Sequence, residues 1–371
     1  MENPSEMLDT LTTRGKLFQP EAGDAVRCLA CAHRCLIKPG RRGICKVRFN
    51  QNGELRVPWG YVAAANVDPI EKKPFSHVLP GATVLTFGML GCDFHCSYCQ
   101  NWQTSQTLCD PEADIGAAYI RQVSPEQLVS AAQRSGAQLI ASSYNEPLIT
   151  TEWAVDIFKI AKAAGLQCAY VSNGNATPEV LDYLKPYLSA YKIDLKSMQD
   201  RHYRQLGGVL KNVLSTIQRA HEIGLWVEVV TLVVPGFNDS SEELWEAARF
   251  LVSVSPDIPW HVTAFHPDYK MDDTPPTPPS TLLKAAEIGQ EAGLRYVYAG
   301  NLHGRVGTYE DTICPSCSQV LVHRRGYVIL DYRLTSDGKC QRCGTAIAGI
   351  WHPDPRQVNL KGNGMPWRAW I

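Results

Sequence analysis

Thirteen cysteines in 371 residues constrain this chain more than any other feature. Eleven fall in three tight clusters: Cys28, Cys31, Cys35 and Cys45; Cys92, Cys96 and Cys99; and Cys314, Cys317, Cys340 and Cys343. Spacings of two or three residues disfavour disulfide pairing, whereas thiolates on a tight turn converge readily on one ion or cluster. The stretch Met1–Lys16 has no basic-then-apolar signal pattern, and no segment approaches the roughly 18 apolar residues of a membrane helix. The chain therefore reads as cytoplasmic, a compartment that disfavours structural disulfides. Cys109 and Cys168 stand alone, and Cys168, opening Cys-Ala-Tyr-Val, reads as core.

Between the outer clusters, short apolar runs alternate with longer helical patterns. Strands are expected at Thr83–Leu90, Leu139–Tyr144, Cys168–Ser172, Tyr191–Leu195, Trp226–Val234, His261–Phe265 and Tyr296–Tyr298. Helices are expected at Thr151–Ala164, Pro178–Tyr187, Lys211–Ile223, Ser241–Val254 and Ser280–Ala292, with Thr177 and Ser240 as N-caps and Gly165, Gly224 and Gly293 as stops. Repeated β-α units with near-continuous apolar strands imply an α/β fold, a parallel sheet covered by helices. A full or partial (β/α) barrel is the leading architecture, and a doubly wound open sheet is the alternative. No Gly-rich dinucleotide fingerprint follows the first strand. In a barrel the chemistry gathers at the C-terminal ends of the strands.

The first strand runs into Gly91-Cys92-Asp93-Phe94-His95-Cys96-Ser97-Tyr98-Cys99. Three thiolates can hold three irons of a 4Fe-4S cube and leave the fourth iron open. A closed zinc site would need a fourth ligand, for which His95 is the candidate. With its C-x3-C-x2-C motif, and an aromatic before the last cysteine, this segment resembles the radical S-adenosylmethionine (SAM) superfamily. The resemblance implies that SAM chelates the open iron and is reductively cleaved to methionine and a 5′-deoxyadenosyl radical that abstracts hydrogen. It also implies that Tyr98 packs near the adenine. Further strand ends look alike. Tyr144-Asn145-Glu146-Pro147 is similar to the segment that holds the SAM amino group. Ser172-Asn173-Gly174 resembles the segment that holds ribose and SAM carboxylate in the pyruvate formate-lyase activating enzyme. There an Asp helps bind a monovalent cation, at a position occupied here by Val171. Asp194 and Lys196 match the activase Asp-Leu-Lys, Glu228 falls where those enzymes carry an Arg, and His266 ends the sixth strand on the cofactor or substrate side. His261, at the opposite end, reads as packed.

The resemblance narrows further. Cys28–Asn50, Asp68-Pro69-Ile70-Glu71-Lys72-Lys73-Pro74, Cys99-Gln100-Asn101-Trp102, Trp260–Lys270 and Tyr298-Ala299-Gly300-Asn301 look like the AmmeMemoRadiSam-system radical SAM enzymes. That likeness implies MEMO-like and AMMECR-like partners and an electron donor such as flavodoxin or ferredoxin. It leaves the substrate open. Three modules are expected: a Cys-rich metal-binding module over 1–80, the radical SAM barrel over 81–304, and a zinc-ribbon-like module over 305–371. The two C-x2-C knuckles Cys314/Cys317 and Cys340/Cys343, separated by 22 residues, make a four-thiolate site, with zinc as the first expectation. Cys28, Cys31, Cys35 and Cys45 suit zinc or an auxiliary 4Fe-4S cluster, with His33 able to replace one thiolate. An RNA-modifying radical enzyme is a second reading, but 36 Lys+Arg against 37 Asp+Glu and no basic stripe weigh against nucleic acid. A non-enzymatic scaffold with three zinc sites is the third.

Overall fold

The computed structural model describes residues 4–113, 120–362 and 364–371. Seven strands form its centre: β1 Thr83–Gly88, β2 Leu139–Ser142, β3 Gln167–Ser172, β4 Ala190–Asp194, β5 Trp226–Val233, β6 Trp260–Ala264 and β7 Val297–Gly300. They pair in parallel and in chain order, β1 beside β2 and so on to β7. The crossovers are α1 Pro125–Arg134, α2 Thr151–Ala163, α3 Pro178–Leu184, α4 Leu210–Glu222, α5 Ser241–Val254 and α6 Pro279–Glu291. A doubly wound sheet reverses its strand order at a switch point, and this one never does. Right-handed crossovers in constant order place the helices on one face, so the architecture is an open, partial barrel.

Ala64–Pro69 extends the sheet antiparallel to β1, and Trp367–Arg368 pairs antiparallel with that strand. Both flanking ranges, 1–80 and 305–371, thus lend a strand to the central sheet. The remaining small sheets are antiparallel. Thr12–Arg14, Glu54–Pro58 and Phe49–Gln51 form one, and Phe18–Pro20, Val26–Cys28 and Leu36–Ile37 form a second. Thr312–Ile313, Val320–Arg325 and Val328–Tyr332 form the C-terminal one.

Strand alternation decides what enters the barrel. One face of β1–β4 presents Val84, Leu139, Ala141, Ala169 and Ala190, and its three alanines leave room for Ile70, Phe75, Val78 and Leu79 of the segment that precedes β1. That segment fills the lower half of the barrel. Just above the plug, the Glu228 carboxylate accepts from the Ser76 and His77 amides at 2.8 and 2.9 Å and from Trp226 Nε1 at 3.0 Å. His261 Nε2 lies 2.6 Å from it, so His261 is a packed partner, as expected. The opposite face meets the helices, where Cys168 is fully buried against α2.

The expected caps hold: Thr177 accepts from Val180 N at 3.1 Å and Ser240 from Glu243 N at 3.2 Å. Helix α1 was not expected, although Ser124 and Gln127 build a complete capping box at its start. The segment around Arg48 is tied to α2 by a fully buried ion pair. Arg48 donates to both Glu152 oxygens at 2.8 Å and to Ile149 O at 3.0 Å, while Glu152 also accepts from Lys16 N at 3.1 Å. Glu152→Ala leaves a buried guanidinium unpaired, so it should cost about 3–5 kcal/mol of stability. Chemical denaturation reads this directly; a loss below about 1 kcal/mol would show that the pair does not hold the segment there.

Candidate active site

The sharp exit from β1 prepares the central cysteines. A Cβ on Gly88 would lie 2.4 Å from Ser143 O, so only glycine lets the ends of β1 and β2 approach. Gly91 has φ +94 and its missing Cβ would lie 3.1 Å from Cys45 O, which brings the N-terminal cluster's loop against the central motif. Beyond this turn, Cys92, Cys96 and Cys99 border a cavity of about 590 Å³ at the C-terminal ends of the strands. Tyr98, Asn145, Glu146, Ser172, Asn173, Asp194, Lys196 and His266 border the same cavity. Every residue expected at the central site is therefore brought together. His95 is exposed and is not among the lining residues.

The side chains divide into those open to the cavity and those that hold its frame. Asn145 Oδ1 accepts from Met89 N at 3.0 Å, and its amide donates to Glu146 O at 3.2 Å, so it braces the loop. Glu146 accepts from Ser172 Oγ at 2.7 Å, Asn173 N at 2.8 Å and Leu148 N at 3.0 Å. Burial and the Asp93 charge nevertheless push its carboxyl up to about 8. Two buried carboxylates this close favour a cation beside them. Tyr98 packs edge-on against Phe237, and His266 sits on the rim with Nε2 2.9 Å from Gln100 Nε2.

Several participants escaped the sequence reading. Asp93, inside the cysteine motif, accepts from Asn173 Nδ2 at 2.8 Å and Asn175 Nδ2 at 2.9 Å, and its backbone carbonyl lies 3.1 Å from His33 Nε2. His33 is thereby engaged with the central motif. Lys192 is the second omission: its ammonium contacts Asp194 Oδ1, while Lys196 Nζ reaches Oδ2 at 3.1 Å. Positions 192, 194 and 196 alternate onto one face, so the signal was present in the strand itself. The third group is Asp68, Lys72, Lys73 and Tyr144, assembled across more than 70 residues of chain.

The cysteine clusters differ in geometry. Among the described residues, only Cys314, Cys317, Cys340 and Cys343 bring three or more cysteine, histidine or carboxylate ligand atoms within 4.8 Å of one another. Their Sγ atoms pair at 3.6 Å (Cys314–Cys343) and 3.7 Å (Cys317–Cys340). Tetrahedral Zn–S bonds of about 2.3 Å require S···S separations of about 3.8 Å, so this site fits a single ion. Iron in the same tetrahedron would look alike. The three central thiols do not form such a tight group; they border one open cavity. Burial pushes the Cys96 thiol up to about 12 against the pull of Lys196, so it would give up its proton to a metal rather than to water. The central residues fit a 4Fe-4S cluster with an open iron.

The family model of the radical SAM superfamily matches residues 87–251. The uncharacterized protein MJ0808 of Methanocaldococcus jannaschii is 38% identical over 338 residues, covering 90% of this chain and 98% of that protein. The pyruvate formate-lyase-activating enzyme of Clostridium pasteurianum is 26% identical over 183 residues, 47% of this chain and 71% of that enzyme. Among solved structures, a radical SAM methyltransferase from Sphaerobacter thermophilus aligns over 84% of this chain and 81% of its own, with 15% identity and a TM-score of 0.47. Residues 87–251 thus form a radical SAM domain, a member of that superfamily. Membership implies binding of SAM and a 4Fe-4S cluster. Among the described residues no helix is long and apolar enough to cross a membrane.

The electrostatics of β4 are testable without cofactor. Although its surroundings partly desolvate it, the half-buried Asp194 is held down to about 2 by Lys192 and Lys196. A depressed carboxyl contributes stability that is present above the unfolded value near 3.9 and is lost as pH falls through about 2. The parent protein should therefore exceed Asp194→Asn by about 2 kcal/mol above pH 4. That gap should close toward pH 2, as read by denaturation at a series of pH values. A gap independent of pH would place the stabilisation elsewhere.

Proposed function

We propose that this protein is a radical SAM enzyme of activating-enzyme-like chemistry, in which Cys92, Cys96 and Cys99 ligate the 4Fe-4S cluster. The observation that carries the reading is the single cavity in which these thiols meet polar groups from the ends of β2, β3 and β4. Cys92, Cys96 and Cys99 would hold a 4Fe-4S cluster, which would supply the electron for reductive cleavage of SAM to methionine and a hydrogen-abstracting 5′-deoxyadenosyl radical.

The protein's own residues then bind and orient. Glu146, raised by burial and by Asp93, favours the SAM ammonium, with Asn145 holding the backbone beneath it. Ser172 and Asn173 present polar groups toward ribose and carboxylate. Lys196 offers a charge to the SAM carboxylate while Asp194 fixes its direction. Tyr98 supplies an aromatic wall for the adenine, and His266 stands at the rim. The plug beneath, from Ile70 to Leu79, keeps water from the lower barrel.

The flanking ranges 1–80 and 305–371 are read as modules around a barrel over 81–304. We assign zinc to Cys314, Cys317, Cys340 and Cys343, and zinc or a second cluster to Cys28, Cys31, Cys35 and Cys45. A cytoplasmic flavodoxin or ferredoxin is the fitting electron donor, and MEMO-like and AMMECR-like proteins are the proposed associates.

The anaerobically reconstituted protein should make 5′-deoxyadenosine from SAM with dithionite, and changing Cys92, Cys96 and Cys99 together to Ala should abolish it. Cleavage that survives in the triple variant ends this reading. Replacing Cys340 and Cys343 by Ser should lower zinc by about one equivalent and leave iron unchanged, because four thiolates make one closed site. Iron lost in its place would reassign the metal. Total iron near four or near eight per chain decides between zinc and a second cluster at the N-terminal site.

A further inference from the structure

Four lysines border the active cavity: Lys72 and Lys73 from the turn after Ala64–Pro69, and Lys192 and Lys196 from β4. Two carboxylates serve all four. Asp68 takes Lys72 Nζ on Oδ1 and Lys73 Nζ on Oδ2, both at 2.9 Å. Asp194 takes Lys192 on Oδ1 and Lys196 on Oδ2. Each carboxylate thus fixes two ammoniums and balances one of their two charges. Among the described residues, the cavity's other carboxyls, on Glu146 and Asp268, form no ion pair with these lysines. Glu146 faces its three donors, and Asp268 Oδ1 accepts from Tyr269 N at 2.7 Å.

The four fall into two pairs: Lys192 and Lys196 on Asp194, and Lys72 and Lys73 on Asp68. The Lys73 side chain is 6% exposed and that of Lys192 is 7% exposed. Burying like charges side by side is costly unless an anion joins them. Hydrogen-bonding groups stand beside Asp68 and Lys73. Tyr144 donates to Asp68 Oδ2 at 2.9 Å and lies 3.3 Å from Lys73 Nζ, whose ammonium stands 4.3 Å from the centre of the Tyr144 ring. Tyr327, at the turn of the C-terminal hairpin, borders the cavity and feels the Asp68 charge. Tyr144 itself has φ +67, a conformation that bulky residues rarely adopt and that implies the surrounding structure holds it there.

We propose that Lys72, Lys73 and Lys192, with Tyr144 and Tyr327, form a subsite for an anionic oxygen group, carboxylate or phosphate, on the molecule that surrenders hydrogen. This rests on the reading of the cavity as the radical site. Lys196 and Asp194 serve SAM, and the remaining ammoniums select the second substrate. Ammoniums already fixed by Asp68 and Asp194 need little reordering to receive an anion.

The test uses the reconstituted holoenzyme saturated with SAM. Malonate, inorganic phosphate and uncharged malonamide are titrated calorimetrically, with mass-spectrometric acetylation of Lys73 as a second readout on the parent protein. Malonate or phosphate should bind and shield Lys73 from acetylation, and malonamide should do neither. Whichever anion binds more tightly tells carboxylate from phosphate. Lys73→Met should weaken that anion about ten- to hundredfold, as for loss of one charged hydrogen bond. Lys73→Arg should retain most of it, and both variants should keep parental SAM affinity. The subsite is overturned if neither anion binds, if malonamide binds equally, or if the anion competes with SAM. It is also overturned if a folded Lys73→Met binds the anion as the parent does. Parental formation of 5′-deoxyadenosine without anion binding would defeat this inference alone, whereas its absence would defeat the radical reading itself.

Discussion

Seven parallel strands taken in chain order impose the constraint on which the rest depends. Parallel pairing turns every C-terminal strand end to the same rim, and unreversed order places consecutive ends side by side. Residues far apart in sequence therefore share one cavity without long loops. Cys92 follows β1, Glu146 follows β2, Asn173 follows β3 and Lys196 follows β4, and all border the same space. An open barrel has an interior to fill, and small residues on β1–β4 leave room for the plug from Ile70 to Leu79. The floor of the site is thus made by the segment that also carries Lys72 and Lys73.

Charge is handled by sharing rather than by simple pairing. Asp68 and Asp194 each hold two ammoniums, Asp93 holds two asparagine amides, and Glu228 holds three N–H donors and a histidine nitrogen. Each of these carboxylates fixes the orientation of its neighbours through several hydrogen bonds at once. At Glu228 this locks the plug to β5 and β6. At Asp68 and Asp194 it leaves positive charge facing the cavity. The two kinds of site differ in whether donors outnumber the charge they must balance.

Legibility in the sequence followed the range of the interaction. The strands were visible because parallel strands buried on both faces read as continuous apolar runs. The helices α2 to α6 were visible from periodicity, caps and glycine stops. Helix α1 was not, although Leu128, Val129, Ala131 and Ala132 form its buried face and Ser124 caps its start. The cysteine motif and strand-end polar residues were legible because each lies within a few residues of its element. Lys192 was overlooked although period-two alternation points to it from Asp194. The Asp68–Lys73–Tyr144 group joins residues more than 70 positions apart, and no local pattern announces it. The engagement of His33 with Asp93 is of the same kind.

The central claim is that the cysteine-ligated cluster and SAM meet in one cavity. Electron paramagnetic resonance of the dithionite-reduced holoenzyme, recorded with and without SAM, tests it most directly. The account predicts that SAM changes the g-values of the reduced-cluster signal, and that the SAM-responsive signal is missing when Cys92, Cys96 and Cys99 are replaced. A reduced-cluster spectrum indifferent to SAM would contradict it.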